Sequence, residues 1–119
     1  MENRDCIVFA AMLNMLYGYR IVCIEDGERL LYAYCIGEEN GKKIFVDERG
    51  IEEDTKEFFD ELDSNVLYKD GTLYENGKEL SVRICGNPDE AFDRYVFGDW
   101  YDGKVKNFII ENECLYKIG

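Results

Sequence analysis

Five Asp-Gly or Asn-Gly dipeptides divide this chain of 119 residues into short segments, and they restrict its fold more than any other feature. They lie at residues 26–27, 40–41, 70–71, 76–77 and 102–103. Asp, Asn and Gly accept the positive φ angles that two-residue hairpin loops require. Segments rich in Val, Ile, Leu and Tyr flank most of them, so the sequence predicts an antiparallel sheet of short strands.

The hairpin around residues 40–41 can be tested by pairing residues outward from the turn. Glu38 then faces Lys43 near the tip, and Ile36 faces Phe45 further in. Opposite charges and apolar residues each find suitable partners in this register. Because both faces are apolar at the inner end, the pattern predicts a central hairpin that is covered on two sides.

The sequence of residues 66–84 predicts a three-strand meander with loops at 70–71 and 76–77. In that register one face is apolar and the other is mostly polar, so one side would belong to the core. The predicted core face carries Val66, Tyr68, Leu73, Leu80, Val82 and Ile84. A last hairpin is predicted across residues 107–118, turning near Asn112.

Three helices are predicted beside these strands. The first spans about residues 5–17 and is apolar on nearly every side, so it would be buried across the sheet; a buried strand is the alternative. The second spans about residues 54–62, where Asp54 followed by Glu57 resembles a capping box. The third runs from residue 87 to about residue 96, because a proline at its start suits a first helical turn.

Length and composition bound the fold class. With 46% hydrophobic residues, the chain has enough apolar surface for one core. We therefore expect a single globular domain over residues 1–119, of the α+β class, in which a mainly antiparallel sheet of hairpins and a meander carries about three helices. Fourteen basic against 26 acidic residues give a net charge of -12, which repels phosphate backbones and anionic lipids. Direct binding to nucleic acid or to a membrane is not expected.

The location of the protein can also be predicted from the sequence. The apolar run at residues 6–17 is shorter than the roughly 20 residues that a membrane-spanning helix needs. Residues 1–5 carry more acid than base, unlike a secretory signal. The five cysteines are widely spaced among apolar neighbours, which predicts buried thiols in place of disulfides or a zinc site. We expect a cytoplasmic protein, in the host cytoplasm if a phage encodes it.

The inventory of reactive side chains argues against catalysis. Histidine is absent, which removes catalytic triads, Cys-His pairs and histidine metal ligands together. Cys85 has a base two residues away, Arg83, but thiols among apolar neighbours are usually buried and inert, so a nucleophilic thiol is not expected. Carboxylates at 47–48, at 52–54 and at 99 with 102 are candidate ligands of Ca²⁺ or Mg²⁺, although the EF-hand pattern is absent. We expect no cofactor, no metal and no catalytic residue.

The second predicted helix is the most informative segment. Seven acidic residues and one base lie between residues 52 and 63. At about 100° per residue, one arc of the helix carries Ile51, Phe58, Phe59 and Leu62. The opposite arc carries four carboxylates, those of Glu53, Glu57, Asp60 and Glu61. Like charges one turn apart slightly destabilise a helix, so stability alone does not explain this face.

Residues 97–103 form a second candidate segment. Here Asp99, Trp100, Tyr101 and Asp102 place the only tryptophan of the chain beside a tyrosine and between two acids. Trp and Tyr are frequent anchors of protein interfaces, so these four residues are predicted to bind a partner together with the acidic helix face. The alternative is that one of the two rings only closes an end of the core.

These features predict a non-enzymatic acidic binding protein. Carboxylates one helical turn apart, at about 5 Å, imitate the charge density of a nucleic-acid backbone and would dock into the basic groove of a nucleic-acid-handling protein. In composition, as a small, acidic, histidine-free domain, the chain resembles the inhibitors that phages and mobile elements direct against host nucleases, including anti-CRISPR proteins and other DNA mimics. The resemblance implies an inhibitor and assigns no residue. Two alternatives are a structural or regulatory domain, able to form a homodimer, whose acidity serves solubility only, and an enzyme that uses carboxylates with a metal.

Overall fold

The computed structural model describes residues 3–62, 66–95 and 98–118. In chain order, the elements of these residues are α1 (Asn3–Tyr17), β1 (Arg20–Asp26), β2 (Arg29–Glu39), β3 (Lys42–Asp47), β4 (Gly50–Glu52), α2 (Thr55–Asp60), β5 (Val66–Lys69), β6 (Thr72–Glu75), β7 (Lys78–Glu79), β8 (Ser81–Cys85), α3 (Pro88–Tyr95), α4 (Gly103–Glu111) and α5 (Glu113–Tyr116). The strands form a five-stranded sheet in the order β4-β3-β2-β1-β8 and a three-stranded sheet in the order β5-β6-β7. Every strand pair is antiparallel, so the predicted α+β class is confirmed.

Three of the predicted hairpin loops have the backbone conformation that their sequence favours. The φ angles of Asn40, Asp70 and Asn76 are 54°, 51° and 52°, and the glycine after each is also positive. Two consecutive left-handed residues reverse the chain within two positions and match the twist of the flanking strands. The β2–β3 register is the predicted one, with Ile36 opposite Phe45.

The five-stranded sheet is covered on both faces, as predicted for its central hairpin. Helix α1 crosses one face and packs on alternate sheet residues such as Ile21, Cys23 and Cys35. Helices α3, α4 and α5 complete this helix layer with Phe92, Ile109 and Tyr116 among their buried side chains. On the opposite face, α2 and the small sheet cover Val22, Tyr34 and Ile36 with Phe58, Phe59 and Leu73. Each fully buried large apolar side chain contributes roughly 1.5–3 kcal/mol.

The predicted first helix is confirmed, and its alternative as a strand is wrong. Ile7, Ala11, Met12 and Leu13 are fully buried, because the sheet and the other helices enclose α1 on nearly all sides. The helix ends where Gly18 adopts a φ of +76° and its N–H donates to the Asn14 carbonyl at 2.8 Å. A glycine in the left-handed region is a common helix stop. No described helix is both long and apolar enough to span a bilayer.

The two shorter predicted helices also form. Asp54 caps α2, since its carboxylate accepts a hydrogen bond from the Glu57 N–H at 2.9 Å. Helix α2 ends at Asp60, two residues before the predicted end. Helix α3 begins at Pro88 as predicted and is described as far as Tyr95, while the predicted end at residue 96 lies outside the described residues.

The predicted last hairpin is wrong, because residues 103–116 form helices α4 and α5. Asp102, which was interpreted as a turn residue, is the N-cap of α4 and accepts hydrogen bonds from the Lys104 and Val105 N–H groups at 2.9 and 3.2 Å. Asn112, the predicted turn, closes the helix instead, since its Nδ2 donates to the Phe108 carbonyl at 2.8 Å. Asp and Asn stabilise turns and helix ends by the same side-chain hydrogen bonds, so the dipeptides alone do not distinguish the two.

The predicted meander is confirmed in its first part only. Val66, Leu73 and Leu80 are buried under the main sheet. Strand β7 ends at Glu79, and the next strand, β8, pairs with β1 in the main sheet. Val82 and Ile84, which were predicted in the core, are therefore 51% and 49% exposed on an edge strand. Arg83, which lies between these two residues in β8, is also exposed.

Candidate functional site

The structure places the eight predicted partner-binding residues in two groups. The first group lies on and beside α2, which packs on one face of the main sheet. The second group, residues 99–102, precedes α4 in the helix layer, where Trp100 packs against the core of the opposite face. The sheet lies between the two groups, so they do not form one flat surface.

The α2 group is held out from the sheet by an aromatic cluster. Phe58 is 1% exposed, and its ring is stacked on that of Phe45 at 4.9 Å and lies 4.7 Å from the Arg49 guanidinium carbon. The carboxylates on the outer arc are exposed, as predicted. Asp60, however, forms an ion pair with Lys56, with Nζ and Oδ2 2.7 Å apart, which neutralises one of the four carboxylates of this face.

The second group forms one wall of a cleft. The first turns of α1 and residues 99–105 enclose about 310 Å³. The lining residues are three carboxylates, those of Asp5, Asp99 and Asp102, and five apolar or aromatic side chains, those of Val8, Phe9, Trp100, Tyr101 and Val105. None of these lining residues is a lysine or an arginine. We refer to this cavity as the acidic cleft.

Local hydrogen bonds fix the wall of the acidic cleft. Trp100 Nε1 donates to Asp89 Oδ1 of α3 at 2.7 Å, which orients the indole ring. The Asp99 carboxylate accepts from the Tyr101 N–H at 3.1 Å, a local turn that aspartate commonly makes. The ring of Tyr101 is 50% exposed and lies edge-on to Trp100 at 6.3 Å. Trp100 therefore closes part of the core, while the ring of Tyr101 is half exposed and has Lys106 Nζ 5.9 Å from its centre.

Carboxylates extend from the cleft along the edge of the main sheet. Glu48, in the turn before edge strand β4, has a raised pKa because burial disfavours its charge and because the carboxylates of Asp47 and Asp5 are near. Glu52, at the end of β4, accepts hydrogen bonds from the N–H groups of the next two residues. We call this row the acidic band; it comprises Asp99, Asp102, Asp5, Glu48, Glu52, Glu53, Glu57 and Glu61.

Sequence reasoning missed Asp5 and Glu48 as members of this site. Asp5 begins an apolar helix, and only the packing of α1 beside residues 99–105 makes it a neighbour of Asp99. Glu48 was considered only as part of a candidate metal cluster. Its proximity to Asp5 depends on how α1 crosses the sheet, which no local pattern reveals.

Two further carboxylates are buried and fully engaged. Asp47, 4% exposed, accepts hydrogen bonds from Tyr32 Oη and Arg49 Nη2, each at 2.7 Å. This ion pair neutralises Arg49, the base closest in sequence to Glu48, so the acidic band loses little charge to it. A buried carboxylate that is paired and hydrogen-bonded in this way fixes the local structure.

The second buried carboxylate, Glu25, ties α3 to the sheet. It is 2% exposed and accepts hydrogen bonds from Arg83, Arg94 and Tyr95. Burial by itself raises the pKa of Glu25, but the hydrogen bonds from Arg94 and Tyr95 outweigh it, so the pKa lies below its usual value. Arg83 therefore forms its ion pair with Glu25. The pKa of the neighbouring Cys85 thiol is raised by burial.

The cysteines and the candidate metal ligands form neither disulfides nor a metal-binding cluster among the described residues. Cys6, Cys23, Cys35 and Cys85 are buried free thiols, as predicted, whereas the prediction of a buried thiol is wrong for Cys114, which is exposed at the start of α5. Within residues 3–62, 66–95 and 98–118, no group of three or more Cys, Asp or Glu side chains is arranged to hold a metal ion. Comparison of the chain with family models, with curated proteins and with solved structures finds no match.

Proposed function

We propose that this protein is a non-enzymatic binding protein that places its acidic band in a basic groove of a nucleic-acid-handling protein, and thereby blocks it. The observation that carries this proposal is the acidic cleft, where three carboxylates surround two exposed or half-buried aromatic rings. A lysine or arginine of a partner would find both charge and a ring face there.

The distribution of charge supports the proposal. Of the described bases beside the acidic band, Arg49 is paired with Asp47 and Lys56 with Asp60, whereas Lys106 lies 5.9 Å from the centre of the Tyr101 ring. Glu53, Glu57 and Glu61 form no ion pair with any described residue. Clustered carboxylates of this kind accelerate association with a basic surface and make binding weaken with salt.

The division of the acids between two layers also suits a groove. Asp99 and Glu57 lie on opposite faces of the sheet, and Glu48 and Glu52 lie on the edge between them. Carboxylates on two faces and on the edge between them could contact both walls of a concave nucleic-acid site, whereas those of a flat patch would contact one wall. Backbone phosphates are likewise presented on a convex duplex.

The proposal is tested by affinity capture from a bacterial lysate, followed by competition with duplex DNA. We expect a nucleic-acid-binding protein to be retained at low salt, to be lost as salt is added, and to be displaced by DNA. A captured protein that DNA does not displace, or that high salt does not release, would contradict the proposal.

A second candidate, a domain that self-associates and is acidic for solubility only, is favoured by one observation. The edge strand β8 exposes Val82 and Ile84, and such an edge can pair with another strand. Sedimentation over a range of concentrations distinguishes the two: a salt-insensitive dimer that Val82→Lys dissociates would support this alternative.

A further inference from the structure

A second cavity lies at the opposite end of α1 from the acidic cleft. The groove encloses about 630 Å³, within the roughly 300–1,000 Å³ typical of small-molecule sites. Its walls are the last residue of α1, the start of β1, the β2–β3 hairpin, Ile84 of β8 and Ile118. Asp5 and Tyr17, which line the two cavities, are about 18 Å apart along the helix axis.

The groove carries two cations that form no ion pair with a described residue, although Glu38 lies opposite one of them, Lys43, in the hairpin. Five arginine side chains are described, and four of them form ion pairs: Arg29, Arg49, Arg83 and Arg94. Arg20, which lines the groove, forms none with any described residue. Lys43, also in the lining, lies 5.1 Å from the centre of the Phe45 ring and likewise has no described ion pair.

The positive charge must be weighed against nearby negative charge. Glu38 lines the same groove, and the C-terminal end of α1 contributes about half a negative charge. Glu39 and Glu113 also lie close enough to raise the pKa of Tyr19 and of Tyr17, so Arg20 and Lys43 do not make the groove cationic as a whole. An acid group would therefore be held by direct contact with these two cations and not by a positive field.

A hydroxyl group in the groove wall also lacks a partner. Tyr17 Oη is buried and makes no hydrogen bond with a described residue. Buried polar atoms in folded proteins are nearly always hydrogen-bonded, so a ligand that reaches this hydroxyl would gain a hydrogen-bond partner. The neighbouring Tyr19 is different, because its Oη donates to the Tyr116 carbonyl at 2.6 Å and accepts from the Ile118 N–H.

We propose that this groove binds a small organic anion. The acid group would lie between Arg20 and Lys43, and an apolar body would pack on Ile36, Ile84 and Ile118. Arginine binds planar acid groups through two parallel hydrogen bonds, and the three isoleucines provide the apolar surface that such ligand sites usually have. This site is independent of the acidic band and of the protein partner proposed for it.

Two fluorescent probes with the same body test the proposal. 8-Anilinonaphthalene-1-sulfonate carries an acid group on an aromatic body, and N-phenyl-1-naphthylamine is that body without the acid. We expect the sulfonate to bind the folded protein with one-to-one stoichiometry and the neutral probe to bind at least about tenfold more weakly, the usual effect of losing a charged hydrogen bond. Equal affinity for the two probes, or no binding of the sulfonate, would overturn the proposal.

Matched variants locate the site. Arg20→Gln should weaken sulfonate binding about tenfold and leave the neutral probe unaffected. Lys42→Gln, on the same hairpin but outside the groove lining, should change neither. Tyr17→Phe removes only the unpaired hydroxyl, so it should weaken sulfonate binding without lowering the thermal midpoint of unfolding. Unchanged sulfonate affinity in both Arg20→Gln and Tyr17→Phe would refute this location, with circular dichroism confirming that each variant is folded.

Discussion

Replacing Glu25 by glutamine tests the buried ionic network that joins α3 to the main sheet. The carboxylate is 2% exposed and accepts hydrogen bonds from two arginines and a tyrosine. Glutamine has nearly the same shape, so the substitution leaves no cavity. It removes the charge and turns one acceptor into an NH₂ group that faces other donors.

The expected loss of stability in Glu25→Gln depends on whether the former hydrogen-bond partners of Glu25 can be hydrated in the variant. Charged hydrogen bonds contribute about 1.5–3 kcal/mol each, and the variant weakens more than one. The side chains of Arg83 and Arg94 are 44% and 33% exposed, so both can regain water when Glu25 is neutral. We therefore expect the free energy of unfolding near neutral pH to fall by about 2 kcal/mol, and by less than the sum of the bonds.

The pH dependence of this cost has a definite sign. The folded-state pKa of Glu25 is lowered from its usual value of 4.5, so folding favours the ionised form. A group of this kind stabilises the fold above its unfolded pKa and loses that contribution as the pH falls through the folded pKa. The difference in unfolding free energy between the native chain and Glu25→Gln should therefore shrink as the solution is acidified below about pH 4.5.

The measurement is urea unfolding followed by circular dichroism, at about pH 7 and about pH 4, on both proteins. Glu28→Gln is the matched control, because Glu28 is exposed, and its effect should remain within about 0.5 kcal/mol at both pH values. A cost for Glu25→Gln that is equal at the two pH values, or that grows on acidification, would refute the reasoning.

Two further predictions concern packing. Gly37→Ala would place a methyl carbon 2.8 Å from the Tyr19 ring, which is held by its own hydrogen bonds, so unfolding should become easier by about 1–3 kcal/mol. Gly103→Ala, whose new carbon would lie 3.8 Å from its nearest neighbour, should change stability by no more than about 0.5 kcal/mol in the same urea titration. Ellman's reagent at about pH 8 should modify one thiol of the folded protein, that of Cys114, and five after unfolding, because burial raises the pKa of Cys6 to about 12 and shields the other three; rapid reaction of a second thiol would contradict the packing.

The hairpins could be predicted because their determinants are local. Asn40 and Asp70, each followed by a glycine, adopt the positive φ angles that a two-residue loop needs, and such a loop then fixes the register of its strands. The outward position of the α2 carboxylates could also be predicted, since helical periodicity places Glu57 and Phe58 on different faces of the helix. These are properties of a few neighbouring residues.

The wrong predictions have two causes: contacts between residues distant in sequence, and side chains that stabilise both turns and helix ends. Val82 and Ile84 alternate as a strand should, but their partner is β1, far away in sequence, and the sheet ends at β8. Asp102 has the same chemistry in a turn and at a helix start, so only the helix that follows distinguishes them. The acidic cleft could not be predicted as a whole, because it requires Asp5 and Asp99 to meet across the fold.

The central claim is that negative charge is placed on the acidic band for a partner and is more than a means of solubility. Capture of the DNA-displaceable protein should be compared for two variants that each remove three charges. One carries Asp5→Asn, Glu53→Gln and Glu57→Gln in the band; the other carries Glu28→Gln, Glu79→Gln and Glu111→Gln, which are exposed elsewhere. The account predicts that capture is lost in the first variant and kept in the second, and an equal effect of the two would contradict it.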